Sequence, residues 1–244
     1  MGLFSGKRPK LHLNEAQIAA ISERMRWLVS TFGRDAITQR RVLVPEAADF
    51  PVAYDGSYVS AEQTAGIVAA QMDLLPTDIR LDIFAEGVDA VEAGQQQIFI
   101  EQGGRAGGLY WGRNETDGLY HIGLSARSLK NPEKMVATLA HEMAHIKLLG
   151  EERITENDEP LTDLLTVIFG LGIFNANAAF NFRTGAQSWG YSKLGYLSQM
   201  EWGFALAMFA ILRGDHRPVW LKHLTKNIQS DFKAGVDYLV GNAG

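Results

Sequence analysis

The sequence predicts an α+β fold: N-terminal helices, then a small, mainly antiparallel sheet, then a helical C-terminal half. Apolar residues recur at helical spacing in 14–32 and again beyond residue 131. Between these regions, in 79–125, short segments alternate apolar and polar residues or end at turn residues, as half-buried strands do. Helical and strand patterns are therefore grouped along the chain rather than interleaved, which is typical of the α+β class.

The composition favours one folded unit. The chain has 244 residues, of which 46% are hydrophobic, and this is enough apolar material for a sizeable core. Because no internal repeat or low-complexity linker divides the sequence, we expect a single compact domain over 1–244, with a helix-and-sheet part (1–130) and a helical part (131–244). The sequence gives no indication of the oligomeric state.

Charge and cysteine content exclude several classes of function. The net charge of −5 argues against non-specific binding to nucleic acid. The chain has no cysteine, which excludes disulfides, thiolate metal ligands and a cysteine nucleophile, and which fits a cytoplasmic location. The longest apolar run, 164–174, is too short to span a bilayer and is followed at once by Asn175, so we expect no membrane span.

In the N-terminal part, cap residues mark where helices begin. Asn14 is predicted to cap a helix in 14–32, and Ser60 is predicted to cap a second helix over 61–75. Strands are predicted to follow at 79–87, 96–102 and 119–125.

The C-terminal part is predicted to contain four helices. The first has Asn131 as its cap and Pro132 in its first turn, and it ends at Gly150. The others are predicted over 159–174, over 198–214 and, beginning at Pro218, within 218–240.

The helix that follows Asn131 carries two histidines four residues apart. Residues at this spacing lie on one face of a helix, so His141 and His145 can direct two imidazoles at one ion, and zinc accepts such ligands. Glu142 lies about 100° around the helix, where its carboxylate can hold a water beside the ion and accept a proton from it. The alternative is a core helix whose polar groups pair with other side chains. The small and apolar residues between the histidines favour metal binding, because buried imidazoles and carboxylates need partners.

A catalytic zinc needs a third protein ligand, and the acidic segment downstream offers candidates. Glu159 and Asp163 are four residues apart at the start of an apolar helix, so they share one face. Glu159 is the preferred ligand. Asp163, one turn further into the helix, can accept the free ring N–H of a ligand histidine. Asp163 itself and the distant Glu201 remain alternatives for the third ligand.

Together, HEMAH at 141–145 and EPLTD at 159–163 resemble the H-E-x-x-H and E-x-x-x-D motifs of gluzincin metallopeptidases, the thermolysin-like clan. The resemblance covers about 130–174, and the segment EPLTDLLTV also resembles one in uncharacterised bacterial proteins, which implies no activity. The resemblance to gluzincins implies Zn²⁺ as the cofactor. It further implies that the ligands are His141, His145 and Glu159, that Glu142 is the general base, and that Asp163 supports a ligand histidine.

The resemblance also implies a donor that stabilises the oxyanion and an edge strand that binds the substrate backbone. Tyr196, in a glycine-containing segment of the C-terminal half, is the candidate donor, and 119–125 is the candidate edge strand. We therefore expect a zinc-dependent hydrolase, specifically a metallopeptidase that acts on a peptide or protein. A non-catalytic metal-binding module with an interaction or regulatory role is the alternative, and a purely structural helical domain is a third possibility.

Overall fold

A computed structural model describes residues 10–84, 108–184 and 197–242. These residues contain eight α-helices and three strands. The helices are α1 (Glu15–Phe32), α2 (Arg34–Gln39), α3 (Tyr58–Gln71), α4 (Pro132–His145), α5 (Glu159–Ile168), α6 (Gly172–Thr184), α7 (Gln199–Leu212) and α8 (Lys226–Gly241). The strands are β1 (Ile79–Phe84), β2 (Gly108–Arg113) and β3 (Tyr120–Ser125).

The three described strands form one mixed sheet in the order β1-β3-β2. β3 is parallel to β1, with Ile79 opposite Tyr120, and antiparallel to β2, with Tyr110 opposite Ile122. The α+β class with a helical C-terminal half is confirmed, although one of the two described strand pairings is parallel. The prediction that 119–125 is a sheet edge is wrong, because β3 has a partner on each side. The predicted strand at 96–102 lies outside the described residues.

Of the two caps predicted for the N-terminal helices, one is confirmed and the other is wrong. Asn14 caps α1 as predicted: its side chain accepts a hydrogen bond from the backbone N–H of Gln17, whose own side chain accepts one from Asn14. The cap of α3 is Ser57, not Ser60. Ser57 is held in a turn because its N–H donates to the carboxylate of Asp55, so the helix begins one turn earlier than predicted.

The segment predicted as one helix over 159–174 belongs to two helices, α5 and α6. α5 ends at Ile168, and Gly170 adopts a left-handed conformation with φ of 77°, which turns the chain before α6 begins at Gly172. The last helix also starts later than predicted, because Pro218 precedes a 3₁₀ turn, Val219–His223, and α8 begins only at Lys226.

The core is centred on α4, which packs against α3, α5 and α6 and against strands β2 and β3. Leu139, Ala140, Met143 and Ala144 are completely buried, so the helix carries apolar residues around most of its circumference. Among the described residues, no helix has the length and apolar character that crossing a membrane requires.

Candidate metal centre

The long helix α4 presents His141 and His145. Asn131 caps it by accepting a hydrogen bond from the N–H of Lys134, and Pro132 occupies its first turn. Beyond His145 the helix widens into a π-helical turn, Ile146–Gly150. The two imidazole rings lie one turn apart, with centroids 4.9 Å apart and planes at 87° to each other.

Helix α5 presents the carboxylate, because Glu159 is its first residue. The preceding Asp158 is the N-cap and accepts a hydrogen bond from the N–H of Leu161 at 3.0 Å. Arg24 of α1 donates from Nε to both oxygens of Asp158, at 3.1 and 3.0 Å. The start of α5 is therefore held by its own cap and by a contact with the N-terminal helix.

These two helices bring three candidate ligand atoms together. Glu159 Oε2 lies 3.1 Å from His141 Nε2 and 3.6 Å from His145 Nε2, and one ligand atom from each residue lies within 4.8 Å of the others. In the parts of the chain that the structure describes, this is the one group of three or more His, Cys, Asp or Glu side chains with such spacing. Ligands of a tetrahedral zinc ion at ~2.0–2.1 Å are about 3.3 Å apart, so these distances suit zinc.

Asp163 fixes the tautomer of His141. The Asp163 side chain is completely buried, and its Oδ1 lies 3.0 Å from His141 Nδ1. Its Oδ2 accepts a hydrogen bond from the backbone N–H of Leu197 at 3.2 Å. Because a buried carboxylate accepts hydrogen bonds, Nδ1 carries a proton that it donates to Asp163, and Nε2, which faces Glu159, is the nitrogen left for a metal ion.

The cluster contains buried polar atoms whose hydrogen-bonding capacity is unused. Glu159 Oε2 lies at ion-pair distance from His141 Nε2, and His145 Nδ1 makes no hydrogen bond with any described residue. The other carboxylate oxygen, Glu159 Oε1, accepts from Asn157 Nδ2 at 2.7 Å. A buried carboxylate oxygen that faces two imidazole nitrogens is an environment that a cation satisfies.

The pKa shifts describe how the cluster balances its charge without a cation. Burial and, to a lesser extent, the neighbouring His141 lower the pKa of His145 to about 3, so the His145 ring is neutral at pH 7. Burial also opposes protonation of His141, but its contacts with Asp163 and Glu159 outweigh burial and raise its pKa well above the usual range. Burial opposes ionisation of Glu159, yet the contact with His141 lowers its pKa.

Glu142 lies next to His141 on α4 and is 7% exposed. Its negative charge makes a small contribution to the raised pKa of His141. Glu201, the distant alternative ligand, has a different role: its carboxylate accepts from the N–H of Ser198, the N-cap of α7, at 2.7 Å. Tyr196, the candidate oxyanion donor, lies outside the described residues.

Three neighbours of the cluster were not anticipated from the sequence. Asn157 orients Glu159, Arg24 contacts the cap before it, and the ring of Tyr110 stacks on His145 at 6.0 Å between centroids. The short spacing from Asn157 to Glu159 is a local signal for the first contact. The other two contacts join elements far apart in the sequence, so no local pattern predicts them.

No protein-family model matches the chain, and no curated protein or solved structure shows significant similarity to it. The resemblance to gluzincins therefore depends on the two short motifs.

Proposed function

We propose that the chain is a zinc-dependent hydrolase that cleaves peptide bonds. The observation that carries the proposal is the convergence of His141 Nε2, His145 Nε2 and Glu159 Oε2, which lie within 4.8 Å of one another. Two histidines and one glutamate are a donor set of catalytic zinc sites, which leave a fourth position open to water or substrate.

When bound, zinc would supply a Lewis acid that lowers the pKa of water and polarises a carbonyl. The protein residues would then perform the proton transfers. Glu142, beside His141 on α4, would accept a proton from the attacking water and pass it to the leaving amine. Asp163 would keep His141 in the tautomer that directs Nε2 at the ion, and Asn157 would leave Glu159 Oε2 available by occupying Oε1.

The sheet beside α4 is one reason to propose a peptide as the substrate. β2 contacts α4 and pairs with β3 along one side, and no second described strand pairs with it. An extended peptide can add to such a strand through main-chain hydrogen bonds. We therefore propose Gly108–Arg113 as the substrate-binding strand, in place of β3, which the sequence suggested.

The first test is zinc content by elemental mass spectrometry after zinc loading and removal of excess metal. We expect about one zinc per chain in the wild type and none in H141A or E159A, because each variant loses a ligand. H216A is the matched control, since His216 is exposed and has no part in the cluster, and it should retain zinc. Absence of zinc in the wild type would refute the proposal at this first step.

The second test separates an enzyme from a non-catalytic metal module. A mixture of peptides is incubated with zinc-loaded wild type and with E142Q, and products are identified by mass spectrometry. We expect cleavage by the wild type and its loss in E142Q with zinc content unchanged, because the amide cannot accept the proton. Cleavage by E142Q at the wild-type rate would refute the role of Glu142. Zinc binding without cleavage of any peptide would favour the metal-binding module.

A further inference from the structure

We propose that Tyr110 is a positioning residue that holds the imidazole of His145 in the orientation for metal binding by stacking on it. This inference rests on the proposed metal site. It assigns to β2 a role in forming the site itself, in addition to its proposed role in binding substrate.

The two histidines of the cluster are held in different ways. His141 is oriented by a hydrogen bond, because its Nδ1 meets the buried carboxylate of Asp163 at 3.0 Å. His145 Nδ1 is also buried, yet no described residue accepts or donates a hydrogen bond there. The second nitrogen of a ligand histidine is normally fixed by a hydrogen bond, so within the described residues the orientation of His145 has another source.

Aromatic contacts supply that source. The Tyr110 ring lies nearly parallel to the His145 ring, with 11° between the planes and 6.0 Å between the centroids. The His141 ring meets His145 edge-on, at 87° and 4.9 Å. Both arrangements are favourable aromatic geometries, and together they restrict rotation of the His145 ring about its side-chain bonds.

Tyr110 is itself held in place. Its backbone pairs with Ile122 in the centre of the sheet, and its ring lies 6.4 Å from that of Tyr120. Gly150, at the end of the π-helical turn after α4, leaves room for it, since a Cβ atom there would lie 2.8 Å from the Tyr110 hydroxyl. The sheet and the end of the metal-binding helix therefore enclose the tyrosine ring from two directions.

The test compares zinc dissociation constants, measured by competition with a chromophoric chelator, for the wild type, Y110F and Y110L. We expect Y110L to bind zinc about tenfold more weakly, because it loses the stacked ring. Y110F should stay within about twofold of the wild type, because it keeps the ring and loses only the hydroxyl. Y120F is the matched control: it removes the hydroxyl that donates to Gly150 O and should leave zinc affinity unchanged.

A spectroscopic measurement separates positioning from a general effect on folding. With Co²⁺ in place of zinc, the visible absorption bands report the geometry of the ligands, and we expect them to shift in Y110L but not in Y110F. If Y110L melts far below the wild type, Y110M replaces it, since methionine fills space without a ring. Wild-type zinc affinity in Y110L or Y110M would refute the role of Tyr110 alone, as would equal losses in Y110F and Y110L. Failure of the wild type to bind zinc would instead refute the proposed function and this inference with it.

Discussion

The Asp163 carboxylate lies 3.0 Å from His141 Nδ1 and is completely buried. Its second oxygen accepts the backbone N–H of Leu197 at 3.2 Å, just before α7 begins. One carboxylate therefore connects α4, α5 and the entry to α7. Because it accepts a hydrogen bond from His141 Nδ1–H, it also determines which nitrogen of that ring is available to a metal.

The first prediction concerns this carboxylate. D163N keeps the shape of the side chain but removes its charge, so the hydrogen bond that it accepts from His141 Nδ1–H weakens. We expect zinc affinity to fall about tenfold, the lower end of the range for outer ligand contacts. Competition with a chelator measures the change. D49N is the matched control, since Asp49 is a buried carboxylate that contacts Arg41 and not the cluster. Equal zinc affinity in D163N and D49N would contradict the prediction.

The second prediction concerns the release of protons when zinc binds. The pKa of His141 is raised well above its usual range in the metal-free protein, so this ring is protonated at pH 7. Zinc binding at Nε2 must displace that proton, and we expect release of about one proton per zinc. Calorimetric titration at pH 7 in two buffers of different ionisation enthalpy measures the release. A binding enthalpy that does not depend on the buffer would contradict it.

The third prediction concerns stability: the raised pKa of His141 makes the free energy of unfolding depend on pH. A histidine whose pKa is raised on folding stabilises the folded state most fully below its unfolded pKa. That contribution disappears as the pH rises through the folded pKa. The metal-free protein should therefore lose stability above pH 7 as His141 deprotonates, as measured by urea unfolding. H141A should lack this loss, which is the control.

The parts of the site that the sequence predicted are those that depend on local periodicity. The spacing of four residues places His141 beside His145, and likewise Glu159 beside Asp163, whatever the rest of the chain does. Cap residues such as Asn14 are also local signals. Strand order is different, because alternation of apolar and polar residues is the same in parallel and antiparallel strands. Nothing in the sequence of β3 shows that it lies between two partners.

Contacts between elements far apart in the chain also could not be predicted from the sequence. The stacking of Tyr110 on His145 depends on how the sheet packs against α4, and this is a tertiary relationship. The break between α5 and α6 is a related case. The apolar run that continues through Phe169 is compatible with one helix, and only the backbone conformation at Gly170 shows that the chain turns there.

The fourth prediction tests that turn. Gly170 has a φ of 77°, and a Cβ atom added there would collide with the backbone carbonyl oxygen of Arg41. We expect G170A to lower the free energy of unfolding by about 3 kcal/mol, from left-handed strain plus the collision. G214A is the matched control: Gly214 has a φ of 71° but open space around it, so about 1 kcal/mol is expected. Equal losses in urea unfolding would contradict this assignment.

The fifth prediction links the N-terminal helix to the metal. Arg24 of α1 contacts both oxygens of Asp158, the cap immediately before Glu159. R24A should let the start of α5 move, and we expect zinc affinity to fall about threefold, a modest effect because the pair is partly exposed. R26A is the control on the same helix, since Arg26 is exposed and donates to Ser22 O. Its zinc affinity, measured by competition with a chelator, should match that of the wild type. If R24A and R26A bind zinc equally, α1 has no part in holding the third ligand.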